Sequence, residues 1–369
     1  MPTTTARIFN FSAGPAVMPL PVLEEAQRDL VALPNVGMSV LEISHRSKTF
    51  QEIIGECEAN ARKLANIPEN YHVLFLQGGA TTQFSMAPMN LLPTGAWADY
   101  IVTGAWSSKA VKEARKVGAL NIAFDGKAEN FNRVPRQDEL KLSKDPAYVH
   151  ITTNETIHGV EFHALPDFGG RVVVADTSSH MFSRPIDVNR YGRVYAGVQK
   201  NLGPSGAVMV IIRDDLVKKA AEYKSYANLP VMLQYGTHVP EKSLYNTPPV
   251  FTIYMVGLVM KWLIGLGGLE AMERLNVRKA AKLYADIERT GFDRGHAAKD
   301  SRSRMNVTFR LPTEELEAKF VKESKAAGMD GLKGHRSVGG LRASIYNAFP
   351  EEGVDALVAF MQDFEKKNG

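Results

Sequence analysis

The chain has 369 residues, of which 44% are hydrophobic and 23% are charged. This length favours two packed units over one simple core, and the composition disfavours large disordered regions. The formal net charge is only +4, and the sequence contains no dense run of lysine and arginine, so we expect no nucleic-acid partner.

Three features favour a cytoplasmic location. The only cysteine is Cys57, which excludes an internal disulfide and suits a reducing compartment. The first 15 residues contain no apolar core of the length found in signal peptides. The most apolar stretch, residues 250–260, is followed by Lys261 and is too short to span a bilayer. We therefore expect a buried core helix there and no membrane partner.

Short apolar runs alternate with helical patterns through the first 215 residues. Such alternation predicts an α/β fold, and the nearly continuous apolar runs predict a mostly parallel sheet covered by helices on both faces. The predicted strands are residues 71–77, 99–104, 120–124, 147–153, 171–176, 193–199 and 207–213.

The pattern changes after about residue 255. A long helical pattern runs to about Thr290, and two strands and two amphipathic helices follow, which predicts a smaller α+β unit. Because we find no Pro/Gly linker at the boundary, we expect one continuous helix to join the two units. The expected division is a large domain of residues 16–258 and a small domain of residues 259–369, together with an N-terminal arm, residues 1–15.

Two predicted strands end in residues that can carry chemistry. Asp176 ends the run RVVVAD, and Lys200 follows the next run 24 residues later. The carboxyl ends of parallel strands meet at one crevice, so an acid and an amine should face each other there. Pyridoxal phosphate needs this pair, because a lysine attaches to its aldehyde and an acid holds its ring nitrogen protonated.

Other interpretations of this pair exist. An aspartate at a strand end is usually a cap or turn residue, and a lysine before Asn-Leu-Gly is usually solvated. The run RVVVAD is also similar to the acidic strand of an ATPase, but the chain lacks a G-x-x-x-x-G-K-[ST] loop. The glycines of residues 265–268 follow a helical pattern, so they do not form a dinucleotide-binding loop.

A glycine-rich turn and a tryptophan follow two further strands. Gly78 and Gly79 end the first strand, and Thr81 and Thr82 can begin a helix whose free N–H groups would bind phosphate. Trp106 follows the second strand and could stack on a pyridine ring, although a core position is equally typical of tryptophan.

Several cationic residues could bind anionic substrates. Arginine side chains match carboxylate and phosphate groups with two parallel hydrogen bonds, although most surface arginines are simply solvated. The candidates are His45, Arg46, His335, Arg336 and Arg342.

Nearly the whole chain resembles the phosphoserine aminotransferases, a family of pyridoxal-phosphate-dependent enzymes. The segments that carry the resemblance are NFSAGPAVMP (10–19), EISHRSKTF (42–50), NETIHG (154–159), VADTSSHMFSRPIDV (174–188), YAGVQKNLGPSG (195–206), LYNTPPVFTIY (244–254) and GHRSVGGLRASIYNA (334–348). The last three are specific to this family. The resemblance implies a fold-type I transferase that forms a homodimer, with active sites shared between the subunits.

The resemblance also implies roles in holding the cofactor. Lys200 matches the lysine that carries it, Asp176 the acid on its ring nitrogen, and Trp106 the ring that stacks on it. The residues that match the remaining contacts are Thr156 near the ring hydroxyl, Ala80, Thr81 and Gln199 at the phosphate, and Asn246 and Thr247 reaching that phosphate from the other subunit. Ala80 and Thr81 depart from family members that carry a glycine or an arginine there, so a cationic side-chain contact is missing.

For the substrates, Arg342 matches the residue that binds the α-carboxylate. His335 and Arg336 match residues that bind the side-chain phosphate. His45 and Arg46 match residues that the partner subunit contributes to the same site. The implied reaction is reversible amino transfer between O-phospho-L-serine and 2-oxoglutarate, giving 3-phosphohydroxypyruvate and L-glutamate, as in serine biosynthesis. Whether 4-phosphohydroxy-L-threonine, used in vitamin B6 biosynthesis, is a further substrate stays open. No metal is expected.

Two alternatives to this function exist. The first is a desulfurase or lyase on the same scaffold, but a desulfurase needs a reactive cysteine on a mobile loop. Cys57 shares a predicted helix face with Ile53, Ile54, Ala61 and Leu64, which indicates core packing. A non-catalytic relative is the other, and the intact pair of Asp176 and Lys200 argues against it.

Overall fold

The computed structural model describes residues 7–369, which form ten α-helices and fourteen β-strands. The first six residues of the expected N-terminal arm lie outside the described residues. The strands are β1 Phe9–Asn10, β2 Tyr71–Leu76, β3 Trp97–Val102, β4 Ala119–Asp125, β5 Val149–Thr152, β6 Asn154–Glu155, β7 Val160–Glu161, β8 Val173–Asp176, β9 Arg193–Gly197, β10 Val208–Arg213, β11 Arg294–Gly295, β12 Asn306–Arg310, β13 Met329–Asp330 and β14 Leu341–Ser344. The helices are α1 Leu20–Asp29, α2 Lys48–Ala65, α3 Gly79–Leu91, α4 Ala105–Ala114, α5 Asp214–Ala221, α6 Tyr235–His238, α7 Val250–Gly265, α8 Gly268–Ile287, α9 Glu314–Ala326 and α10 Glu351–Asn368.

A seven-stranded sheet forms the centre of the molecule. Its strand order is β2-β10-β9-β8-β5-β3-β4, and β10 runs antiparallel to both of its neighbours while the other adjacent pairs are parallel. Six strands therefore point the same way, and their carboxyl ends lie along one edge. All seven runs predicted in the first 215 residues are strands of this sheet, which confirms the predicted α/β architecture.

Helices cover both faces of this sheet, and alternate residues along each strand face opposite cores. In β10, Met209 and Ile211 belong to one buried cluster, whereas Val208, Val210 and Ile212 belong to the other. Burial on both faces explains why the strands are nearly continuous apolar runs without polar alternation.

A third buried cluster lies in the C-terminal part of the chain. It combines side chains of α8, α9 and α10 with those of β12 and β14, which pair antiparallel in a three-stranded sheet with β11. Phe11 belongs to the same cluster and is fully buried, and β1 pairs parallel with β13. The N-terminal segment thus packs with the C-terminal residues, from which it is distant in sequence.

The expected boundary between residues 258 and 259 does fall within one helix, α7, but the helical pattern does not continue unbroken to about Thr290. The helical pattern divides into α7 and α8, which are bent by 83° relative to each other. Gly267 and Gly268 have φ angles of 97° and 79°, a conformation that stops a right-handed helix and that glycine adopts without steric cost. Within residues 7–369 no single helix is long and apolar enough to cross a membrane; by length and composition alone, only the bent α7–α8 pair might.

Substitutions at the break should separate backbone strain from helix propensity. Gly268→Ala should lower the free energy of unfolding by roughly 1–2 kcal/mol, because alanine is strained at positive φ. Gly265→Ala is the matched control, since this glycine lies at the end of α7 with open space where a Cβ would project. The control should be neutral or stabilising by up to about 1 kcal/mol. Urea unfolding at fixed protein concentration measures both changes, and equal effects would contradict this explanation of the bend.

Candidate active site

The candidate active site lies at the edge of the sheet where the parallel strands end. The turn after β2 leads into α3, the turn after β3 leads into α4, and β8 and β9 end beside each other. Ligands of open α/β sheets bind at this edge. Seven of the predicted site residues line one cleft here: Ala80, Thr81, Trp106, Thr156, Asp176, Gln199 and Lys200.

Asp176 is the last residue of β8, and its side chain is held in place by the turn that follows. The backbone N–H and the hydroxyl of Ser178 donate to Asp176 Oδ1 at 2.9 and 2.6 Å. The hydroxyl of Ser178 also accepts a hydrogen bond from the N–H of Gly197 at 3.0 Å, which ties the ends of β8 and β9 together. Within residues 7–369 no donor is bonded to Oδ2, so this oxygen is available to a ligand in the cleft.

Burial controls the charge of Asp176. The carboxyl group is buried, and this loss of hydration raises its pKa, although the positive charge of Lys200 opposes the effect. A cationic donor in the cleft would therefore stabilise the ionised form.

Lys200 follows β9 and points into the same cleft. Its Nζ donates to the hydroxyl of Thr156 at 2.9 Å. Burial lowers the pKa of Lys200 to about 8, while the nearby carboxylates of Asp176 and Glu155 oppose this shift. A substantial fraction of this lysine is therefore neutral near pH 8 and can act as a nucleophile or a base.

Trp106 is fixed by a buried glutamate that the sequence analysis did not identify. Glu155 accepts hydrogen bonds from the backbone N–H groups of Trp106 at 3.0 Å and Ser107 at 2.8 Å, and so caps the first turn of α4. A Cβ on Gly104 would lie only 2.4 Å from the carboxyl carbon of Glu155, so glycine is required there. The Trp106 ring centroid lies 5.5 Å from Lys200 Nζ, which places the ring over the cleft.

The first turn of α3 lies where the sequence predicts a phosphate cradle. Gly78 and Gly79 have φ angles of 81° and 62° and turn the chain sharply out of β2. The backbone N–H groups of Ala80 and Thr81 lie in the first helical turn and so lack intrahelical acceptors. Gln199 lines the same cleft. An anion bound here would receive hydrogen bonds and the favourable end of the helix dipole.

Arg342 lies beside this cleft, on β14. Its Nη1 is 3.4 Å from the carbonyl oxygen of Thr156, and its charge contributes to lowering the pKa of Lys200. Its Nε is buried and has no hydrogen-bond partner within the described chain. His335 and Arg336 lie in the loop that precedes β14, whose residues 334–340 we call the cationic loop. Burial lowers the pKa of His335, and the charges of Arg342 and Arg336 add to this effect.

The four residues that the resemblance assigns to the partner's site lie away from the cleft of their own chain. His45 and Arg46 line a separate cavity of about 500 Å³, which Pro240, Lys242 and Leu244 also line. Asn246 lines a neighbouring cavity with Gly78, and the carbonyl oxygen of Thr247 accepts a hydrogen bond from Gln77 at 2.9 Å. These residues form one surface beside the start of α3, which we call the 45/246 surface. Their roles in a shared site stay predictions.

The N-terminal segment is a further contributor that sequence reasoning did not assign to the site. The N–H of Ala16 donates to the carbonyl oxygen of Gln199 at 2.9 Å. A Cβ on Gly14 would lie 3.4 Å from Lys200 Cγ, so the segment passes directly over the lysine. The signals available in the sequence were the motifs that contain Gly14, Glu155 and Ser178, but the motifs alone do not reveal these contacts.

The fold and this cleft define a pyridoxal-phosphate-dependent aminotransferase of class V. The sequence model of the family described as "Aminotransferase class-V" matches residues 8–357, so the chain belongs to that family. Within it, the chain belongs with the phosphoserine aminotransferases. The enzyme of that name from Herpetosiphon aurantiacus is 53% identical over 363 residues, covering 98% of this chain and 99% of the relative.

Solved structures agree with this assignment. The phosphoserine aminotransferase from Bacillus circulans subsp. alkalophilus superposes with a TM-score of 0.95 at 50% identity, over 99% of this chain and 100% of that chain. The corresponding enzyme from Trichomonas vaginalis, described with PLP bound, superposes with a TM-score of 0.91 at 40% identity. That match covers 96% of this chain and 100% of the other.

The residues of the cleft fit pyridoxal phosphate. The cofactor needs an amine for its aldehyde, an acid for its ring nitrogen and donors for its phosphate. Lys200 and Asp176 meet the first two needs, and the N–H groups of Ala80 and Thr81 meet the third. Trp106 offers an aromatic face beside Lys200. Each group of the cofactor thus has a matching partner in one cleft.

The pH dependence of cofactor uptake should report the pKa of Lys200. The rate of covalent attachment to cofactor-free protein should rise with pH and level off above about pH 8, because the neutral amine attacks and burial lowers its pKa to about 8. A lysine with an ordinary pKa near 10.4 would continue to gain rate through pH 9.

Absorbance of the attached cofactor gives the rate. The same pH series with Nα-acetyl-lysine, whose amine has an ordinary pKa, is the control, and its rate should continue to rise through pH 9. A protein rate that rises in parallel with this control through pH 9 would show that burial does not lower the pKa of Lys200.

Proposed function

We propose that this protein catalyses reversible amino transfer between O-phospho-L-serine and 2-oxoglutarate, giving 3-phosphohydroxypyruvate and L-glutamate. The observation that carries the proposal is the placement of Lys200 and Asp176 in one cleft with Arg342 beside it. Full-length relatives named phosphoserine aminotransferase support it, and serine biosynthesis is the pathway that this activity serves. We extend the proposal to 4-phosphohydroxy-L-threonine, which carries the same phosphate and α-carboxylate groups.

Pyridoxal phosphate, when bound, supplies an electron sink for the electron pair left at the substrate Cα after its proton is removed. Lys200 Nζ, of which a substantial fraction is neutral near pH 8, takes that proton as a general base and later returns it as a general acid. Thr156 accepts a hydrogen bond from Nζ and so orients the amine within the cleft. The carboxylate of Asp176, oriented by Ser178, holds the proton on the ring nitrogen.

Each substrate carries two acidic groups, and the site offers matching cations. Arg342 is partly desolvated, which strengthens a paired hydrogen bond to the α-carboxylate. His335 and Arg336 lie beside it on the cationic loop, where the distal phosphate of phosphoserine or the γ-carboxylate of glutamate would bind. The two halves of the reaction can therefore use the same region.

We further propose a homodimer in which the 45/246 surface completes the partner's site. This surface carries His45, Arg46, Asn246 and Thr247, and Leu41 and Tyr245 beside it are 61% and 43% exposed. Large exposed apolar side chains next to unused cationic residues are typical of an interface. We place the enzyme in the cytoplasm.

We propose the domain division expected from the sequence, although Val259, Met260, Leu263, Leu269 and Met272 pack in the same buried cluster as the large domain. Residues 16–258 would bind the cofactor, and residues 259–369 with the N-terminal arm would form the small domain. The inclusion of Phe11 in the C-terminal cluster supports the position of the arm.

A desulfurase is the weaker candidate. Cys57 is fully buried in α2, against Gly257 of α7, and burial raises the pKa of its thiol. The thiolate is the reactive form, so this cysteine is unsuited to nucleophilic attack on a substrate.

Arg336 and Arg342 should affect substrate selectivity differently, because Arg336 is proposed to bind the phosphate and Arg342 the α-carboxylate. Charge-assisted hydrogen bonds contribute about 1.5–3 kcal/mol, so Arg336→Ala should lower kcat/KM for phosphoserine roughly 10- to 150-fold while changing the rate with unphosphorylated serine little. Arg342→Ala should lower both alike, because both donors carry an α-carboxylate. A coupled assay with phosphoserine, 4-phosphohydroxy-L-threonine and serine measures this. Identical selectivity profiles for the two variants would refute the division, and wild-type enzyme inactive with phosphoserine would refute the proposed function.

Mixed dimers test the shared site. Lys200→Ala and Arg46→Ala homodimers should each be poor enzymes. If Arg46 serves the partner's Lys200, a mixed dimer has one site with both defects and one intact site. Random exchange makes about half of the dimers mixed, so about a quarter of all sites should recover activity.

The measurement is activity after co-refolding equal amounts of the two variants, with each variant refolded alone as control. Mixed dimers are verified with a charge tag on one variant. Activity equal to the mean of the two controls would mean that Arg46 acts within its own subunit or not at all.

A further inference from the structure

Lys109 is a cation beside the cleft to which the proposed function gives no role. It lies on α4, three residues after Trp106, and its side chain is exposed. Its Nζ lies 4.0 Å from the centroid of the Trp106 ring, and Lys200 Nζ lies 5.5 Å from the same centroid. The ammonium group of Lys109 is thus held by the ring that covers the cleft, through a cation–π contact.

No intramolecular pairing explains this position. Within residues 7–369 no carboxylate forms a salt bridge with Lys109, and Glu113, one helical turn further on, pairs with Lys116 at 2.8 Å instead. A positive charge in the first half of a helix also interacts unfavourably with the helix dipole, whose positive end is at the N-terminus. Neither an ion pair nor helix stability therefore accounts for a lysine here.

The charge of Lys109 instead adds to that of the cationic loop. Burial and Arg342 are the main causes that lower the pKa of His335, and Lys109 contributes next, ahead of Arg336. Lys109 on α4 therefore adds to the positive potential that Arg336 and Arg342 create at His335, and its contact with the Trp106 ring places it beside the cleft.

We propose that Lys109 contacts the distal acidic group of the substrate and is a specificity-determining residue that favours phosphate over carboxylate. This inference rests on the proposed function and adds a residue from α4 to the distal site. The phosphate-bearing substrate thus binds between α4 and the cationic loop.

Charge explains the direction of the preference. A phosphate monoester carries a charge of about −1.5 to −2 at neutral pH, whereas a carboxylate carries −1. Coulomb attraction scales with that charge, and the compact ammonium of a lysine acts as a point charge with no preference for the planar shape of a carboxylate. Loss of Lys109 should therefore weaken binding of the phosphate-bearing substrate more than binding of glutamate or 2-oxoglutarate.

Two unreactive ligands isolate this effect. Glutarate and 4-phosphonobutyrate share one carboxylate and a three-carbon chain and differ only in the distal acid, and neither has an amino group to transfer. Isothermal titration of the holoenzyme at pH 8 would compare wild type with Lys109→Met, Lys109→Arg and Lys112→Met. Lys112 is the matched control, because it is an exposed lysine on the same helix.

Lys109→Met should weaken the binding of 4-phosphonobutyrate about fivefold to tenfold and the binding of glutarate only about twofold. The larger loss lies between the losses expected for a buried hydrogen bond to a charged group and for an exposed ion pair. Lys109→Arg should retain most of the affinity, and Lys112→Met should retain nearly all of it. The effect of Lys109→Met should shrink in 0.5 M salt, since exposed charges are screened. In parallel, kcat/KM should fall more for phosphoserine than for glutamate.

The outcomes are distinct. If Lys109→Met weakens both ligands alike, or no more than Lys112→Met does, Lys109 supplies only general surface charge and the inference is overturned. In that case wild type would still prefer 4-phosphonobutyrate and turn over phosphoserine, so the proposed function would stand. If wild type neither prefers the phosphonate nor turns over phosphoserine, both the proposed function and the inference fall. An unchanged melting temperature in Lys109→Met shows that folding is not the cause of any loss.

Discussion

The parallel pairing of β8 with β9 is the constraint on which the active site depends. In this register Val174 lies opposite Arg193, and Asp176 lies opposite Tyr195. Lys200 is therefore five residues after Tyr195, the residue that pairs with Asp176. The hydroxyl of Ser178 then joins the two strand ends through Asp176 Oδ1 and the N–H of Gly197. Because side chains alternate along a strand, a slip of one residue would turn the carboxylate away from the lysine. Backbone register thus sets the distance between the two groups.

Burial then determines the chemistry that this pair can perform. Removing water disfavours both charges, so it lowers the pKa of Lys200 and raises that of Asp176, while each group partly compensates the other. A partly buried cation and a buried carboxylate without a ligand are therefore only partly satisfied. A bound group with a positive ring nitrogen and an electrophilic carbon would relieve both costs at once, which explains how an unfavourable arrangement in the free protein favours binding.

Much of the fold and the centre of the site could be predicted from the sequence. Seven apolar runs gave the seven strands of the main sheet, since strands buried on both faces contain few polar residues. Asp176 and Lys200 could be placed because the first ends such a run and the second directly follows one. The roles of His45, Arg46, Asn246 and Thr247 came from resemblance, and one chain does not bring them to Lys200.

Other features depend on contacts that a sequence does not display. Glu155 caps a helix that begins 50 residues earlier, and no periodicity connects it with Trp106. The bend between α7 and α8 depends on the φ angles of Gly267 and Gly268, and glycine within a helical pattern is compatible with either a bend or a straight helix. The short strands β1 and β13 also escaped prediction, because two-residue pairings carry no alternation pattern.

The N-terminal segment is attached at both of its ends, and this fixes its length. At one end the N–H of Phe11 donates to the carbonyl oxygen of Asp330 at 2.8 Å, and at the other the N–H of Ala16 donates to that of Gln199 at 2.9 Å. Between them the carbonyl oxygen of Ala13 accepts a hydrogen bond from Tyr346 at 2.8 Å. An inserted or deleted residue would break the alignment with one anchor or the other. Among homologous chains this stretch should therefore vary by substitution and keep a constant residue count, as a spacer does.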